Sequence, residues 1–187
     1  MGASHEQWKH LAGSAYGGLM SSKESAMAGL NDADSNVRIA AIHICGTNWD
    51  CSKDPAFADA CRALAETDQS DAVRYHAIGA LGHSFRSSQD PTISRFLADL
   101  ATHDKAAEDV RQAAYWALRE IQTGLNDEDL VKQFIRVTKA VVCRMPPHKA
   151  KQHLNETLRV LSQVSDLDWE SGDQIDWEFV SRFVSHS

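Results

Sequence analysis

The segment AVRYHAIGALG (residues 72–82) occurs in three related forms along the chain, and this recurrence decides the fold. The upstream form is NVRIAAIHICG (residues 36–46), and the downstream form is DVRQAAYWALR (residues 109–119). Each form contains a Val-Arg pair followed by small and apolar residues, and the pairs recur at intervals of about 36 residues. Such a period is typical of stacked supersecondary units, none of which can bury its apolar side alone.

The sequence between these segments predicts two helices in each unit, joined by an acidic turn. SKDPAFADACRALAETD (residues 52–68) aligns without a gap with SQDPTISRFLADLATHD (residues 88–104). Both contain Asp-Pro, which suits an N-cap followed by proline at the first helical position. In the first unit, Ser21 and Glu24 have the spacing of a capping box. Gly46 and Gly82 are expected to cap the C-terminal ends of the second helices.

The two ends of the chain depart from this repeat. A further copy is predicted to begin at DEDLVKQFIRVTK (residues 127–139), and a Pro-Pro pair at residues 146–147 interrupts the pattern. We therefore expect one domain, in which an N-terminal helical cap (1–20) and C-terminal capping helices (146–187) enclose the repeats (21–145). Terminal repeats of such arrays must cover an exposed end of the core. A C-terminal segment that binds a partner is the alternative interpretation.

The acidic turn, the Val-Arg pair and the Ala-rich helix resemble HEAT repeats, particularly the short bacterial HEAT-like type, over residues 21–141. The resemblance implies an all-α fold, a right-handed α-solenoid of about four helical hairpins with helical caps. It also implies a polar ladder between neighbouring units. That ladder would be formed by Asp32, Asp68 and Asp104 together with Arg38, Arg74 and Arg111. The turns differ in length, which departs from a regular array.

The net charge of the chain argues against two classes of binding partner. The net charge of −7 and the pI near 5.7 argue against broad contact with nucleic acid or with anionic membranes, both of which require clustered Lys and Arg. No apolar run approaches the roughly 20 residues that span a bilayer. The N-terminal sequence MGASHEQW lacks the basic and apolar regions of a signal peptide. We expect a cytoplasmic protein with a protein partner, and with no nucleic acid or membrane partner.

The sequence predicts no catalytic residue, no metal site and no cofactor. The four cysteines show no C-x-x-C spacing, and Cys45 and Cys61 align with apolar residues of the other repeats. His43, His76 and His83 could converge from neighbouring second helices, but they occupy different repeat positions. HEAT-like iron hydroxylases carry repeated His-Glu dyads, whereas here the pair occurs once, at residues 5–6, outside the repeats.

The second helices supply the predicted binding surface. Positions 4, 7 and 8 after each repeat valine lie beside it on a helix and form a buried stripe, while positions 2, 6 and 9 lie opposite. In HEAT repeats the second helices usually line the concave surface. Aromatic residues with arginine are common anchors of protein interfaces. We therefore predict that a partner contacts Ile39, His43, Tyr75, His76, Gln112, Trp116 and Arg119. Alternatively, the aromatic residues pack against each other or against the C-terminal cap.

These observations favour a non-enzymatic protein–protein interaction module that holds a partner in the concave groove. The alternative is a HEAT-like enzyme or enzyme subunit, most similar to chromophore lyases and less to metal hydroxylases or DNA glycosylases. A glycosylase needs a basic groove, which the net charge of −7 disfavours. The acidic turns are expected to cap helices and form a solvated rim. They could instead form an electrostatic strip that attracts a basic partner.

Overall fold

A computed structural model describes residues 18, 20–88, 90–121, 136–138, 140–146 and 149–150. The predicted all-α fold is confirmed, because every regular element in these ranges is helical. The α-helices are α1 (Lys23–Gly29), α2 (Ser35–Asn48), α3 (Pro55–Thr67), α4 (Asp71–Ser84), α5 (Pro91–Thr102) and α6 (Glu108–Ile121). A short 3-10 helix, Cys51–Lys53, separates α2 from α3, and residues 136–138 and 140–142 are also helical. The start of the predicted further repeat and most of both predicted caps lie outside the described residues.

The helices form hairpins whose second members stack on one another. The first helix of each hairpin packs on the second, so that α1 lies on α2, α3 on α4, and α5 on α6. Within the described residues, α4 also packs against both α2 and α6 and occupies the centre of the stack. The apolar side chains between them, including Phe57, Leu81, Leu97 and Leu118, are buried. Burial of this shared core is what joins the hairpins.

Local capping explains where the first helices begin. Asp54 and Asp90 are the N-caps of α3 and α5, and proline occupies the first turn of each helix, as predicted. The Asp90 carboxylate accepts hydrogen bonds from the backbone N–H groups of Thr92 and Ile93, both at 2.9 Å. These bonds provide an acceptor for backbone N–H groups of the first helical turn, which have no carbonyl partner within the helix.

The predicted capping box of α1 is displaced by one residue. Ser22, rather than Ser21, is the N-cap, and its hydroxyl accepts from the backbone N–H of Ser25 at 3.1 Å. The Ser25 hydroxyl in turn accepts from the N–H of Ser22 at 3.0 Å. Serine therefore takes the place expected for Glu24, because its short side chain also reaches the N-cap backbone.

Gly82 allows a close approach of two helices and does not end one. The prediction that Gly46 and Gly82 are C-caps is wrong, since α2 continues to Asn48 and α4 to Ser84. A Cβ atom at Gly82 would lie 2.8 Å from the Cα of Ala117 in α6. Only glycine permits this spacing between α4 and α6 without a shift of the backbone.

The turns join neighbouring hairpins through a half-buried ion pair. Arg38 Nε lies 2.7 Å from Asp68 Oδ2, and Arg38 Nη2 lies 2.8 Å from Asp68 Oδ1. The Arg38 guanidinium also donates to the carbonyls of Asp32 and Ala33, at 2.7 and 3.1 Å. One side chain thus links the turn of the first hairpin to the turn of the second.

The other residues of the predicted ladder make different contacts. Arg74 donates to the carbonyl of Ala65 at 3.0 Å, and Arg111 donates to that of Ala106 at 2.7 Å, so each arginine contacts its own hairpin. Asp104 forms an ion pair with Arg144. Asp68 is the C-cap residue of α3, whereas Asp104 lies one residue beyond His103, the C-cap residue of α5. A continuous ladder is therefore not present among the described residues.

Replacement of Gly82 tests the helix contact. Gly82→Ala should lower the free energy of unfolding by about 1–3 kcal/mol, because the added methyl group overlaps the backbone of α6. Gly79→Ala is the matched control, since Gly79 lies in the same helix and has nothing within 4 Å of its Cβ position. It should raise the free energy of unfolding by about 0.5–1 kcal/mol through helix propensity. Urea denaturation followed by circular dichroism measures both, and equal effects would contradict the close contact.

Replacement of Asp68 tests the link between the turns. The Arg38 and Asp68 side chains are 14% and 5% exposed, so Asp68→Ala leaves a half-buried cation without its carboxylate partner. We expect a loss of about 1–3 kcal/mol in the free energy of unfolding, the range for hydrogen bonds to charged groups. Asp104→Ala provides the control, because its side chain is 81% exposed and its loss should cost under about 1 kcal/mol. Similar losses for the two variants in denaturant titrations would refute a special role for Asp68.

Thiol labelling tests the burial of the core. Cys45, Cys51 and Cys61 are buried, whereas Cys143 is exposed. Burial raises the pKa of Cys45 to about 12 and also raises the pKa of Cys51 and Cys61. These thiols stay protonated at neutral pH, and the thiolate is the reactive form. A chromogenic thiol reagent should label one cysteine of the native protein and all four after unfolding, and Cys143→Ser should abolish the native signal.

Candidate functional site

A groove crosses the three stacked second helices. Its cavity volume is about 520 Å³, which is within the range of ligand-binding clefts. The lining includes His43 and Thr47 from α2, Tyr75 and Gly79 from α4, and Ala113 and Trp116 from α6. Because all three helices contribute, the site exists only when the hairpins are stacked.

A buried histidine pair joins two hairpins beneath this groove. His43 Nε2 lies 3.1 Å from His76 Nδ1, so that one ring donates and the other accepts. The rings meet edge to face, with centroids 4.8 Å apart, and both residues are largely buried. The hydrogen bond supplies a partner for a ring nitrogen of each residue, which lowers the cost of burying polar groups between α2 and α4.

Two aromatic side chains border the groove and are exposed. Tyr75 is 44% exposed and Trp116 is 41% exposed, whereas most large apolar side chains of the described residues are buried. The Arg119 guanidinium carbon lies 4.6 Å from the centroid of the Trp116 ring. This cation–π contact orients the indole and covers one side of it. The groove therefore presents preorganised aromatic surface.

An ion pair connects α4 and α6 at one end of the groove. Arg86 follows the end of α4, and its Nη2 lies 3.3 Å from Glu120 Oε2 of α6. The side chains are 59% and 44% exposed, so the pair is weak and accessible. The backbone N–H of Ser87 also donates to the carbonyl of Glu120 at 3.0 Å, which fixes the two chain segments relative to one another.

The structure places four of the seven predicted partner-binding residues on the groove, namely His43, Tyr75, His76 and Trp116.

Gln112 and Arg119 do not belong to the lining of the groove. Gln112 is half-buried, and its amide donates to the carboxylate of Glu108 at 2.9 Å. The hydrogen bond from Gln112 lowers the pKa of Glu108. Arg119 is half-buried and packs on the indole of Trp116.

Ile39 is not exposed as predicted. It is 2% exposed and belongs to a run of seven consecutive buried residues in α2, from Ile39 to Cys45. A helix segment that is apolar on every side is buried on every side. The prediction that positions 2 and 6 after the valine face solvent is therefore wrong for α2. The largely apolar run IAAIHIC (residues 39–45) was the signal in the sequence for this enclosure.

Arg86 and Glu120 were not among the residues predicted from the sequence. Arg86 lies beyond the end of α4, outside the helical positions that were compared, and Glu120 lies one turn beyond Trp116. Arg86 and Glu120 occupy different positions within the repeat, so the alignment does not predict their contact. The contact forms because α4 stacks on α6. The three histidines that could converge according to the sequence, His43, His76 and His83, all line the groove.

The described residues contain no group of three or more His, Cys, Asp or Glu side chains arranged to hold a metal ion. The three buried cysteines lie outside the lining of the groove. No helix in the described part of the chain is both long and apolar enough to cross a bilayer. The groove lining offers apolar contact, hydrogen-bonding groups and one ion pair.

Comparison with known proteins agrees with the repeat pattern. A family model described as HEAT repeats matches residues 24–119, about half of the chain. No curated protein and no solved structure shows significant similarity. HEAT repeats generally mediate protein–protein interaction. The resemblance predicted from the Val-Arg segments is confirmed, and the chain belongs to the HEAT-repeat family.

Proposed function

We propose that this protein is a non-enzymatic interaction module that holds a segment of a partner protein in the groove across α2, α4 and α6. The complete array is proposed to be a right-handed solenoid of about four hairpins with a helical cap at each end. Nucleic acid is not the proposed partner, because the net charge of −7 would oppose binding to phosphates. A cytoplasmic location stays a prediction from the sequence.

The exposure of Trp116 at the groove is the observation that carries this proposal. Trp116 is 41% exposed, and its ring is oriented by Arg119 at 4.6 Å. Tryptophan and tyrosine supply large contact areas with few rotatable bonds, and they are enriched among residues that dominate binding energy. Tyr75 adds a second exposed ring on the neighbouring helix. Together they offer two anchors to an extended or helical segment.

Trp116→Ala tests the proposed function. Affinity capture from native cell extract would first identify proteins retained by the full chain, and calorimetry with a purified candidate would then measure the affinity. Removal of the indole should weaken binding by about 1–3 kcal/mol, because it removes apolar area from the centre of the interface. Trp49→Ala is the matched control, since Trp49 is 37% exposed but does not line the groove. It should leave the affinity unchanged.

Thermal melting separates binding from folding in this comparison. Since Trp116 is partly exposed, its truncation should change the melting temperature little. A large loss of stability in Trp116→Ala would assign the residue to the core. Equal effects of Trp116→Ala and Trp49→Ala on affinity would refute binding in the groove.

A further inference from the structure

We propose that the His43–His76 pair makes the attachment of the first hairpin, α1 and α2, sensitive to pH, so that this hairpin separates from α4 in mildly acidic solution. Separation would remove the α2 side of the groove, to which His43 and Thr47 belong. The device belongs to the scaffold and requires no partner. Its failure would therefore leave the proposed function standing.

The hydrogen bond between the two rings limits the number of protons that the pair can hold. His43 Nε2 and His76 Nδ1 lie 3.1 Å apart and share one hydrogen. Both rings are cationic only when all four ring nitrogens carry hydrogen, and two N–H groups would then point at each other. This conflict exists whatever the other two ring nitrogens contact. The closed pair can therefore hold one positive charge but not two.

Burial makes a second charge on the closed pair still more costly. His43 and His76 are 6% and 9% exposed, and their ring centroids are 4.8 Å apart. Two cations at this separation repel each other, and both lose hydration when they are shielded from water. When α2 separates from α4, the rings return to water and each can be protonated. Acid therefore favours the open arrangement.

The charged groups of the groove do not relieve this conflict. Among the described residues, α1, the 3-10 helix, α3 and α5 contribute no side chain to the lining. From α6 the lining includes the carboxylate of Glu120, which is already paired with Arg86. The other titratable side chains of the lining are those of His83 and of Tyr75, whose ring meets that of His76 edge to face. This part of the chain therefore places no unpaired carboxylate in the lining that could balance a second charge.

The helix that separates is expected to be α2, while α4 stays on α6. Gly82 and Ala117 hold α4 and α6 in close contact, and the backbone N–H of Ser87 donates to the carbonyl of Glu120 at 3.0 Å. Neither contact includes a side chain that changes charge between pH 7.5 and pH 5. The contact of α2 with α4 instead includes the histidine pair. Because α1 packs on α2, the two helices are expected to move together.

Amide hydrogen exchange of the full chain at pH 7.5 and pH 5.0, corrected for intrinsic exchange rates, measures the opening of each helix. Histidine in water has a pKa of about 6.5, so below that pH the open state holds at least one proton more than the closed pair. The penalty is absent above that pH and grows as the pH falls. The opening constant of α2 should rise about thirtyfold at pH 5.0, and that of α6 less than about threefold. Carboxylates in water titrate near pH 4, roughly one unit below this window.

His43→Gln assigns the response to the pair. The glutamine amide has both a donor and an acceptor, so it can bond to His76 whether that ring is neutral or cationic. The opening constant of α2 should then change less than about threefold between the two pH values. His76→Asn is a second variant with the same expected result. His83→Gln is the matched control, since His83 is exposed and lines the groove on α4, and it should retain the thirtyfold rise.

Circular dichroism checks that the variants fold. A rise of less than about threefold for α2 in the unsubstituted protein would overturn the proposal, and so would equal rises for α2 and α6. An undiminished rise in folded His43→Gln or His76→Asn would assign the acid response to other groups. The comparison of α2 with α6 in the unsubstituted protein decides the proposal even where neither variant folds.

Discussion

The contact between Gly82 of α4 and Ala117 of α6 sets the spacing on which the groove depends. Because a Cβ at Gly82 would lie 2.8 Å from the Ala117 Cα, the two helices are as close as their backbones permit. This spacing brings Tyr75 and Trp116 to one cavity and brings Arg86 within 3.3 Å of Glu120. Small residues at a helix contact thus determine the geometry of the larger residues that line the groove.

The histidine pair fixes the position of α2 against α4 by a different means. Apolar packing tolerates small shifts, whereas the 3.1 Å contact between His43 and His76 is directional. A displacement of one helix along the other would separate the rings and leave buried ring nitrogens without this partner, at a cost of about 1–3 kcal/mol. Arg38 and Asp68 constrain the turns of the same two hairpins. These polar contacts add directional constraints to the apolar core between the first two hairpins, whereas the second and third hairpins approach most closely at Gly82 and Ala117.

The sequence was informative where structure follows from short-range chemistry. Asp54 and Asp90 cap the helices they were predicted to cap, since an N-cap and a following proline act within one turn. Predictions failed where a residue's role depends on a neighbouring hairpin. Gly82 had the sequence signal of a C-cap but serves a contact with α6. The repeat alignment of Asp104 with Asp68 did not reveal that Asp104 pairs with Arg144, whereas Asp68 pairs with Arg38.

The groove shows why a repeat pattern predicts the scaffold better than the site. One equivalent position of the three second helices carries His43, Gly79 and Trp116, of which the first is buried, the second leaves open space and the third is exposed. Ile39, at the position of Tyr75 in the next repeat, is also buried, so α2 contributes no exposed ring. The aromatic anchors and the accessible arginine are consequently concentrated on α4, its terminal segment and α6. Recognition in such an array resides in differences between repeats, because residues that are equivalent in every repeat are those that the scaffold itself requires.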